Sequence, residues 1–442
     1  MMQFLRVFGI PLIAILLFLD IMSFRFLLKL TQMGSPAIYF ILFLFILEYY
    51  SFQAFHNVNE SSVSLWIYII VHVALYGSLI YFNVTGKGGF SSAAFMNTLI
   101  ILTLFIVPKI VVALTFIIDD VFRMLKFGIQ SMQENHPTMP SRRKAVTWIG
   151  LGIAAIPFLG VLDGIFLGKY RFKVIRKQLL FDDLPPEFDG FTITQLSDIH
   201  SGSFDDVDKV KYGVDLANKQ NSDILVFTGD MVNSISAEFE PYVEMFSVLQ
   251  ANEGMFAILG NHDYGVHSNL NAAEREQSIQ SLQSMQRKVG FKPLNNEMHT
   301  IERNGKRLNI VGVENWGNSE HFPKKGDLRK ATQNVMDGDF NVLLSHDPSH
   351  FDHKLEEYDN VINFDKKLHL TLSGHTHGMQ FGIEIPGLVK WSPVKYRYHN
   401  WAGLYEENGR KLYVNRGFGF LAFPGRVGMW PEITVLELKR KI

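Results

Sequence analysis

Long uncharged runs confine the first third of this chain to helices. Residues 4–24, 36–55, 65–82, 94–118 and 145–168 are each about as long as the roughly 20 apolar residues that cross the hydrocarbon core of a bilayer. In lipid every backbone amide must find its partner within the segment, so five membrane helices are predicted, separated by short polar turns such as 57–62 and 85–89. A water-soluble bundle would need more charge on its outer faces than these runs carry. Asp20 and Glu48 lie in or beside the runs, near helix ends, and read as interfacial groups.

After Gly168 the character changes. Lys169, Arg171, Lys173, Arg176 and Lys177 form a basic stretch, Pro185-Pro186 punctuates it, and from Phe191 onward short apolar runs alternate with polar, helix-compatible segments. Three parts are therefore expected: a membrane domain over 1–168 with about five transmembrane helices, a basic juxtamembrane linker over 169–189, and a second domain over 190–442. A length of 442 residues accommodates two structural units. Strands are predicted at 192–196, 224–228, 256–259, 308–313, 341–344, 368–372, 412–414 and 433–438, and helices at 207–219 and 272–289. Most strand runs are continuously apolar, as in a sheet covered on both faces, so the second domain reads as layered α/β.

Composition removes several function classes. The net charge is -1 and the 42 lysines and arginines are scattered, so no nucleic-acid partner is expected. With no cysteine, disulfides, thiol nucleophiles and cysteine zinc sites are excluded, and a metal would need nitrogen and oxygen ligands.

Five polar motifs stand at the ends of the apolar runs: Asp198-Ile199-His200, Gly229-Asp230, Gly260-Asn261-His262-Asp263, Ser345-His346-Asp347 and Gly374-His375-Thr376-His377. Asp, Asn and His are the side chains that hold paired divalent metals around a phosphate ester. Residues i and i+2 of an extended segment point to one side. Asp198 and His200 are thus expected to reach one ion, and His375 and His377 to face the site together, with Thr376 turned away. Gly229 allows a tight turn, and Asp230 is the candidate bridge between cations about 3.5 to 4 Å apart. Asn261 offers a neutral oxygen ligand that leaves the cluster acidic. His262 is placed to protonate the leaving group, with Asp263 as its orienting partner. Each motif alone reads as a turn device. Together they would form a buried cluster that is costly without cations. His267, His321, His350 and His353 belong to no complete motif and read as solvated or substrate-loop residues.

The series resembles the signature of the calcineurin-like metallophosphoesterase superfamily, D-x-H, G-D, G-N-H-D/E, H and G-H-x-H, matched here without a substitution. The intervals are also of the family's order: 32 residues from Asp198 to Asp230, 31 from Asp230 to Asn261 and 29 from His346 to His375. The resemblance covers 191–442 and implies a four-layer αββα sandwich with two mixed sheets. The whole chain would then be a multi-pass α-helical membrane domain followed by an α/β sandwich of the metallo-dependent phosphatase type. It implies that Asp198, His200, Asp230 and His377 hold one divalent metal, and Asp230, Asn261, His346 and His375 the other. His262 would be the acid, and Mn, Fe and Zn remain open as the metals. The implied reaction is hydrolysis of a phosphomonoester, phosphodiester or pyrophosphate by metal-hydroxide attack.

Arg416 precedes Gly417-Phe418-Gly419, and Arg426 lies in Phe423-Pro424-Gly425-Arg426, segments that resemble the C-terminal region of bacterial transmembrane proteins bearing this domain. Arginine grips phosphate bidentately, which makes both candidate substrate contacts; a structural ion pair is the competing reading. The membrane domain points to the bilayer as partner and to a lipid-linked substrate, such as a phospholipid or lipid pyrophosphate. Basic residues flank the run 145–168 on both sides, so the positive-inside rule does not decide its orientation. Ser141-Arg142-Arg143 before that run is similar to a twin-arginine export signal, favouring an extracytoplasmic catalytic domain on a multi-pass cell-membrane protein. The alternative is a sensor or transporter-like membrane unit with the phosphoesterase fold as its output or binding module, marked by polar residues along the helices.

Overall fold

The computed structural model of the chain describes residues 35–58, 61–85, 93–130, 140–352, 367–385 and 387–441. The expected span at 4–24, and His353, lie outside the described residues. The chain divides into two compact units, Met1–Leu162 and Asp163–Ile442.

Four of the five apolar runs are helices: α1 (Ser35–Val58), α2 (Ser62–Val84), α3 (Ala93–Gln130) and α4 (Pro140–Phe166). Two stretches, Ile100–Phe122 in α3 and Lys144–Phe166 in α4, are 23 residues each and apolar enough to cross a membrane. Both leave most of their apolar surface outward, Ile118 and Ile156 being 67% and 72% exposed, as a lipid-facing helix does. The chain therefore carries an N-terminal transmembrane region. Glu48, expected as an interfacial group, is engaged between helices. Its carboxylate is ion-paired with Lys109 of α3 and accepts hydrogen bonds from Tyr68 Oη (3.0 Å) and Tyr76 Oη (2.5 Å) of α2. His72 Nε2 lies 3.9 Å away. Positions 68, 72 and 76 recur every fourth residue, which stacks them on one helix face.

The second unit contains β1 (Lys173–Phe181), β2 (Thr192–Leu196), β3 (Ile224–Phe227), β4 (Gly254–Ala257), β5 (Lys292–Pro293), β6 (Glu297–Arg303), β7 (Lys306–Gly312), β8 (Phe340–Leu344), β9 (Leu370–Ser373), β10 (Ile383–Ile385), β11 (Val389–Trp391), β12 (Gly403–Glu407), β13 (Arg410–Val414) and β14 (Glu432–Arg440). Two six-stranded mixed sheets result, with orders β1-β14-β2-β3-β4-β5 and β12-β13-β9-β8-β7-β6, beside the small hairpin β10-β11. Strand alternation builds the layers. Ile224 and Val226 enter the core between the sheets, with Ile310, Val342, Leu344 and Leu372 of the second sheet. Leu225 and Phe227 face the other way, onto α5 (Val207–Asn218) and α6 (Ala272–Val289) through Val210, Val214, Leu282 and Met285. On the far side Val311, Leu343 and Leu412 pack with Leu328 and Ala331.

The helix α6 is fixed at both ends. Asn271 and Glu274 form a reciprocal capping box, and Gly290 closes the helix in the left-handed region at φ 107°. Residues 173–181, expected as linker, instead form strand β1 parallel to β14. Its lysines and arginines suit an exposed edge, while Leu179 and Phe181 are buried.

Candidate metal centre

The parallel strands β2, β3 and β4 of one sheet and β8 and β9 of the other carry all the motifs just past their carboxyl ends, where open α/β sheets place their ligands. Backbone bonds stitch these loops together. Asp198 N donates to Gly229 O (2.9 Å), His200 N to Asp230 O (3.2 Å) and Gly374 N to His346 O (2.9 Å). Across the sheets, Gln195 Nε2 donates to Thr228 Oγ1 (3.0 Å) and to the Ser373 carbonyl (2.9 Å).

Strand alternation is not what aims the ligands. Asp198, His200, Asp230, His375 and His377 have left their strands and sit at φ 52°, 47°, 62°, 71° and 52°. A non-glycine residue there costs about 1–3 kcal/mol, and such residues cluster where function dictates the backbone. The neighbouring glycines leave room for this. A Cβ on Gly374 would stand 2.2 Å from Asp198 Oδ2, and one on Gly229, at φ 95°, would meet Gly260 N at 2.5 Å.

Two donor groups result: Asp198, His200 and His377, and Asp230, His346 and His375. His377 Nε2 lies 3.2 Å from Asp198 Oδ1, and His375 N donates to both Asp198 carboxylate oxygens at 2.9 and 3.0 Å. Asp230 Oδ2 stands between the groups, 3.1 Å from His346 Nε2 and 3.7 Å from His200 Nε2. Asn261 Oδ1 joins the second group, 3.2 Å from His346 Nε2 and 2.7 Å from His375 Nδ1. His375 and His377 thus face the site but divide between the two groups.

The donors fit cations. His200 is fully buried, and neither of its ring nitrogens has a hydrogen-bond partner; an orphaned imidazole beside two carboxylates is what a metal ligand looks like without its ion. Burial, with His377 and His262 nearby, holds its pKa well below the usual histidine range, leaving the ring neutral and able to ligate. The Thr228 carbonyl can only accept, so His346 Nδ1 donates to it (2.7 Å) and Nε2 is left for an ion. His375 Nε2 meets Tyr398 Oη at 2.7 Å and Asp347 Oδ2 at 3.5 Å, which assigns Nδ1 to the donor set.

His262 is set apart from both groups. Its Nδ1 donates to the Asn233 carbonyl (2.7 Å), and its ring packs edge-on to His200 at 4.9 Å. Asp263, expected to orient this imidazole, does something else. Its carboxylate accepts the amides of Gly260 (2.9 Å), Asp230 (2.9 Å), Met231 (2.8 Å) and Val232 (3.3 Å), locking the loops after β3 and β4 together. Buried beside the Asp230 charge, its carboxyl is pushed up to about 7.

The two candidate substrate arginines are engaged within the protein. Arg416, 5% exposed, is ion-paired with Glu432 and donates to Glu384 Oε1 (2.8 Å). Arg426 is fully buried and donates to the carbonyls of Gly419 (2.9 Å), Gly417 (3.2 Å) and Met429 (3.2 Å), with His377 Nδ1 3.3 Å from its guanidinium. Asn233 and Tyr398 belong to no motif, and sequence reasoning missed both. His267, read as a solvated or substrate-loop residue, is exposed, with its ring 4.5 Å from that of His262. His350 is buried, its Nδ1 2.8 Å from Ser345 Oγ.

Known proteins bear on this geometry. Residues 191–379 match the family described as calcineurin-like phosphoesterase, and residues 34–169 that described as "Probable Calcineurin-like phosphoesterase, transmembrane domain". An uncharacterized metallophosphoesterase of Helicobacter pylori is 25% identical over 92% of this chain and 98% of its own length. The uncharacterized metallophosphoesterase YkuE of Bacillus subtilis is 29% identical over 58% of this chain and 82% of its own. The UDP-2,3-diacylglucosamine pyrophosphatase LpxG of Chlamydia trachomatis is 27% identical over 59% of this chain and 88% of its own. With the motif residues converging on two buried donor groups behind an apolar helical region, the chain belongs to the calcineurin-like metallophosphoesterases that carry an N-terminal transmembrane domain, and is a phosphoric ester hydrolase.

Proposed function

We propose that this protein hydrolyses a phosphoester or pyrophosphate linkage carried on a lipid. In this reading Asp198, His200, Asp230 and His377 hold one divalent cation, Asp230, Asn261, His346 and His375 hold a second, and His262 is the general acid. The observation that carries it is the single carboxylate of Asp230 standing between two buried donor groups, 3.1 Å from His346 and 3.7 Å from His200. Bound there, two cations would neutralise phosphoryl oxygens and lower the pKa of an attacking water. The rest is the chain's own work. The Asn233 carbonyl fixes the proton on His262 Nδ1, leaving Nε2 as the atom able to deliver a proton to the departing oxygen. Asp263 positions Asp230 and Asn261 through their loops, and Arg426 positions His377. A lipid-borne substrate is supported by the transmembrane region and by the relative named for a diacylated pyrophosphate. An extracytoplasmic catalytic unit is supported by Ser141-Arg142-Arg143 ahead of the apolar stretch of α4.

The test is to purify the full chain with Mn2+ and assay p-nitrophenyl phosphate, bis-p-nitrophenyl phosphate and a lipid pyrophosphate in mixed micelles. Chelator-sensitive turnover, fastest on the lipid substrate, is expected, and the Asp230→Asn, His375→Ala double variant should lose it. Metal-dependent turnover surviving that double substitution would refute the site, and preference for a soluble nucleotide ester would refute the lipid substrate.

A further inference from the structure

The hairpin β10-β11 leaves most of its apolar residues exposed. Its register pairs Ile383 with Trp391 and Ile385 with Val389, so these four side chains share one face and the pair Glu384 and Lys390 shares the other. Both charged residues are exposed, yet each is tied to the domain, while Trp391 of the apolar face is half-buried. Glu384 accepts from the buried Arg416 at 2.8 Å, and Lys390 donates to the Ala402 carbonyl while standing 4.9 Å above the Trp401 ring. The apolar face is turned away: Ile383, Ile385 and Val389 are 53%, 48% and 41% exposed, and Leu388 at the turn is 76% exposed. A contiguous exposed aliphatic patch of this kind marks an interaction surface.

Its place in the fold says what covers it. At the hairpin's base Gly382 N donates to Val427 O (2.9 Å), and the adjacent Arg426 N donates to Gly164 O (3.0 Å), near the end of the membrane-length stretch Lys144–Phe166. Phe166 and Leu167, at that helix end, are 65% and 58% exposed. Beyond β11 come Lys395 and the 77% exposed Tyr396, a cationic and aromatic pairing that suits a membrane–water interface. Ile383 itself follows His377 of the metal centre by only six residues.

We propose that the apolar face of β10-β11 lies in the headgroup region of the bilayer that anchors the chain, and that it presents the metal centre to phosphoesters in that surface; the second clause rests on the lipid-substrate reading above. Arg416 then serves as the strut that ties the hairpin to the domain through Glu384.

Because the chain has no cysteine, Leu388→Cys and Ile385→Cys each give the full-length protein a single site for an environment-sensitive fluorophore. In vesicles of phosphatidylcholine and phosphatidylglycerol both labels should emit blue-shifted and be quenched about twofold by lipids spin-labelled high on the acyl chain, while a label at the exposed Lys306→Cys should not. Absence of lipid quenching at 385 and 388 overturns the proposal. So does a blue shift that disappears as the protein is diluted in lipid, which would show a second copy covering the face. Turnover supplies a separate arm. Ile385→Asp with Leu388→Asp should lower hydrolysis of a vesicle-embedded ester about tenfold and leave p-nitrophenyl phosphate hydrolysis unchanged; equal loss on both removes the presenting role. Lipid quenching needs no catalysis, so failure of the hairpin and failure of the lipid-substrate reading are told apart.

Discussion

A histidine that ends a reaction by giving up a proton must keep one nitrogen out of the metal shell. In the proposed reaction this residue is His262, whose Nδ1 is occupied by the Asn233 carbonyl at 2.7 Å. His262→Gln should lower turnover of an alkyl phosphoester by about a hundredfold or more. The p-nitrophenyl ester, whose leaving group departs without a proton, should lose much less; equal losses in kcat for both esters would make His262 a positioning residue only. His346 carries a second pH-dependent step. Burial disfavours its charged form, but the Asp230 carboxylate 3.1 Å away wins and raises the ring to about 10 in the metal-free chain. That folded value lies above the ordinary value of about 6.5, so the pairing stabilises the metal-free chain below about 6.5 and is lost as pH rises through about 10. A cation needs the nitrogen bare. Metal loading at pH 7 should therefore release this proton, and apparent affinity should climb about tenfold per pH unit between pH 7 and 9. Calorimetry in buffers of different ionisation enthalpy measures the proton directly, and a pH-independent affinity would show the ring already neutral. Such roles are legible in a sequence only where chemistry restricts the residue type. The ligands Asp198 to His377 are of that kind. Asn233 acts through a carbonyl that any residue owns, and Tyr398 joins His375 from 23 positions away with no motif to announce it.

Elements were legible where burial forced a pattern on them. The strand expected at 192–196 and the helix at 272–289 match β2 and α6 residue for residue, because one is covered on both faces and the other is capped at both ends. Edge elements carry weaker patterns. The basic residues Lys173, Arg176 and Lys177 of β1 read as a linker, and β10-β11 shows only two apolar residues per strand. The i, i+2 argument expected the residues of each pair to face the site together; the structure brings them there by another route, since both residues of each pair sit at positive φ beyond a strand end. Within the membrane region Glu48 and Lys109 form an ion pair between α1 and α3, beside the apolar contact of Ala54 with Val112 and Phe116. Glu48→Leu alone leaves the Lys109 ammonium buried without its partner and should destabilise the helical unit by about 3 kcal/mol. Glu48→Leu with Lys109→Leu should recover most of that loss. Unfolding in detergent measures both variants, and additive effects would show the two charges acting separately.

At the scale of the molecule, the candidate metal centre exists only after the catalytic unit has closed, because its donor groups come from loops of both six-stranded sheets. Asp198, Asp230 and Asn261 follow β2, β3 and β4 of one sheet, while His346, His375 and His377 follow β8 and β9 of the other. Loading and folding of such a site are one event, so a catalytic unit that works outside the cytoplasm is best exported already folded and metallated. A twin-arginine route does this, and Ser141-Arg142-Arg143 opens α4 ahead of its apolar stretch Lys144–Phe166. In a chain with no cysteine of its own, Lys306→Cys on the exposed β6-β7 turn should react with a membrane-impermeant maleimide in intact cells. Adding Arg142→Lys and Arg143→Lys should abolish that labelling while the protein remains detectable after lysis. Labelling that requires permeabilisation in the arginine-containing chain would put the catalytic unit in the cytoplasm and remove the export reading. In the expected case the metal bound by the purified enzyme is the one captured before export, and removing it by chelation should lower the thermal midpoint of the catalytic unit, because ions held by the proposed donors would tie both sheets together.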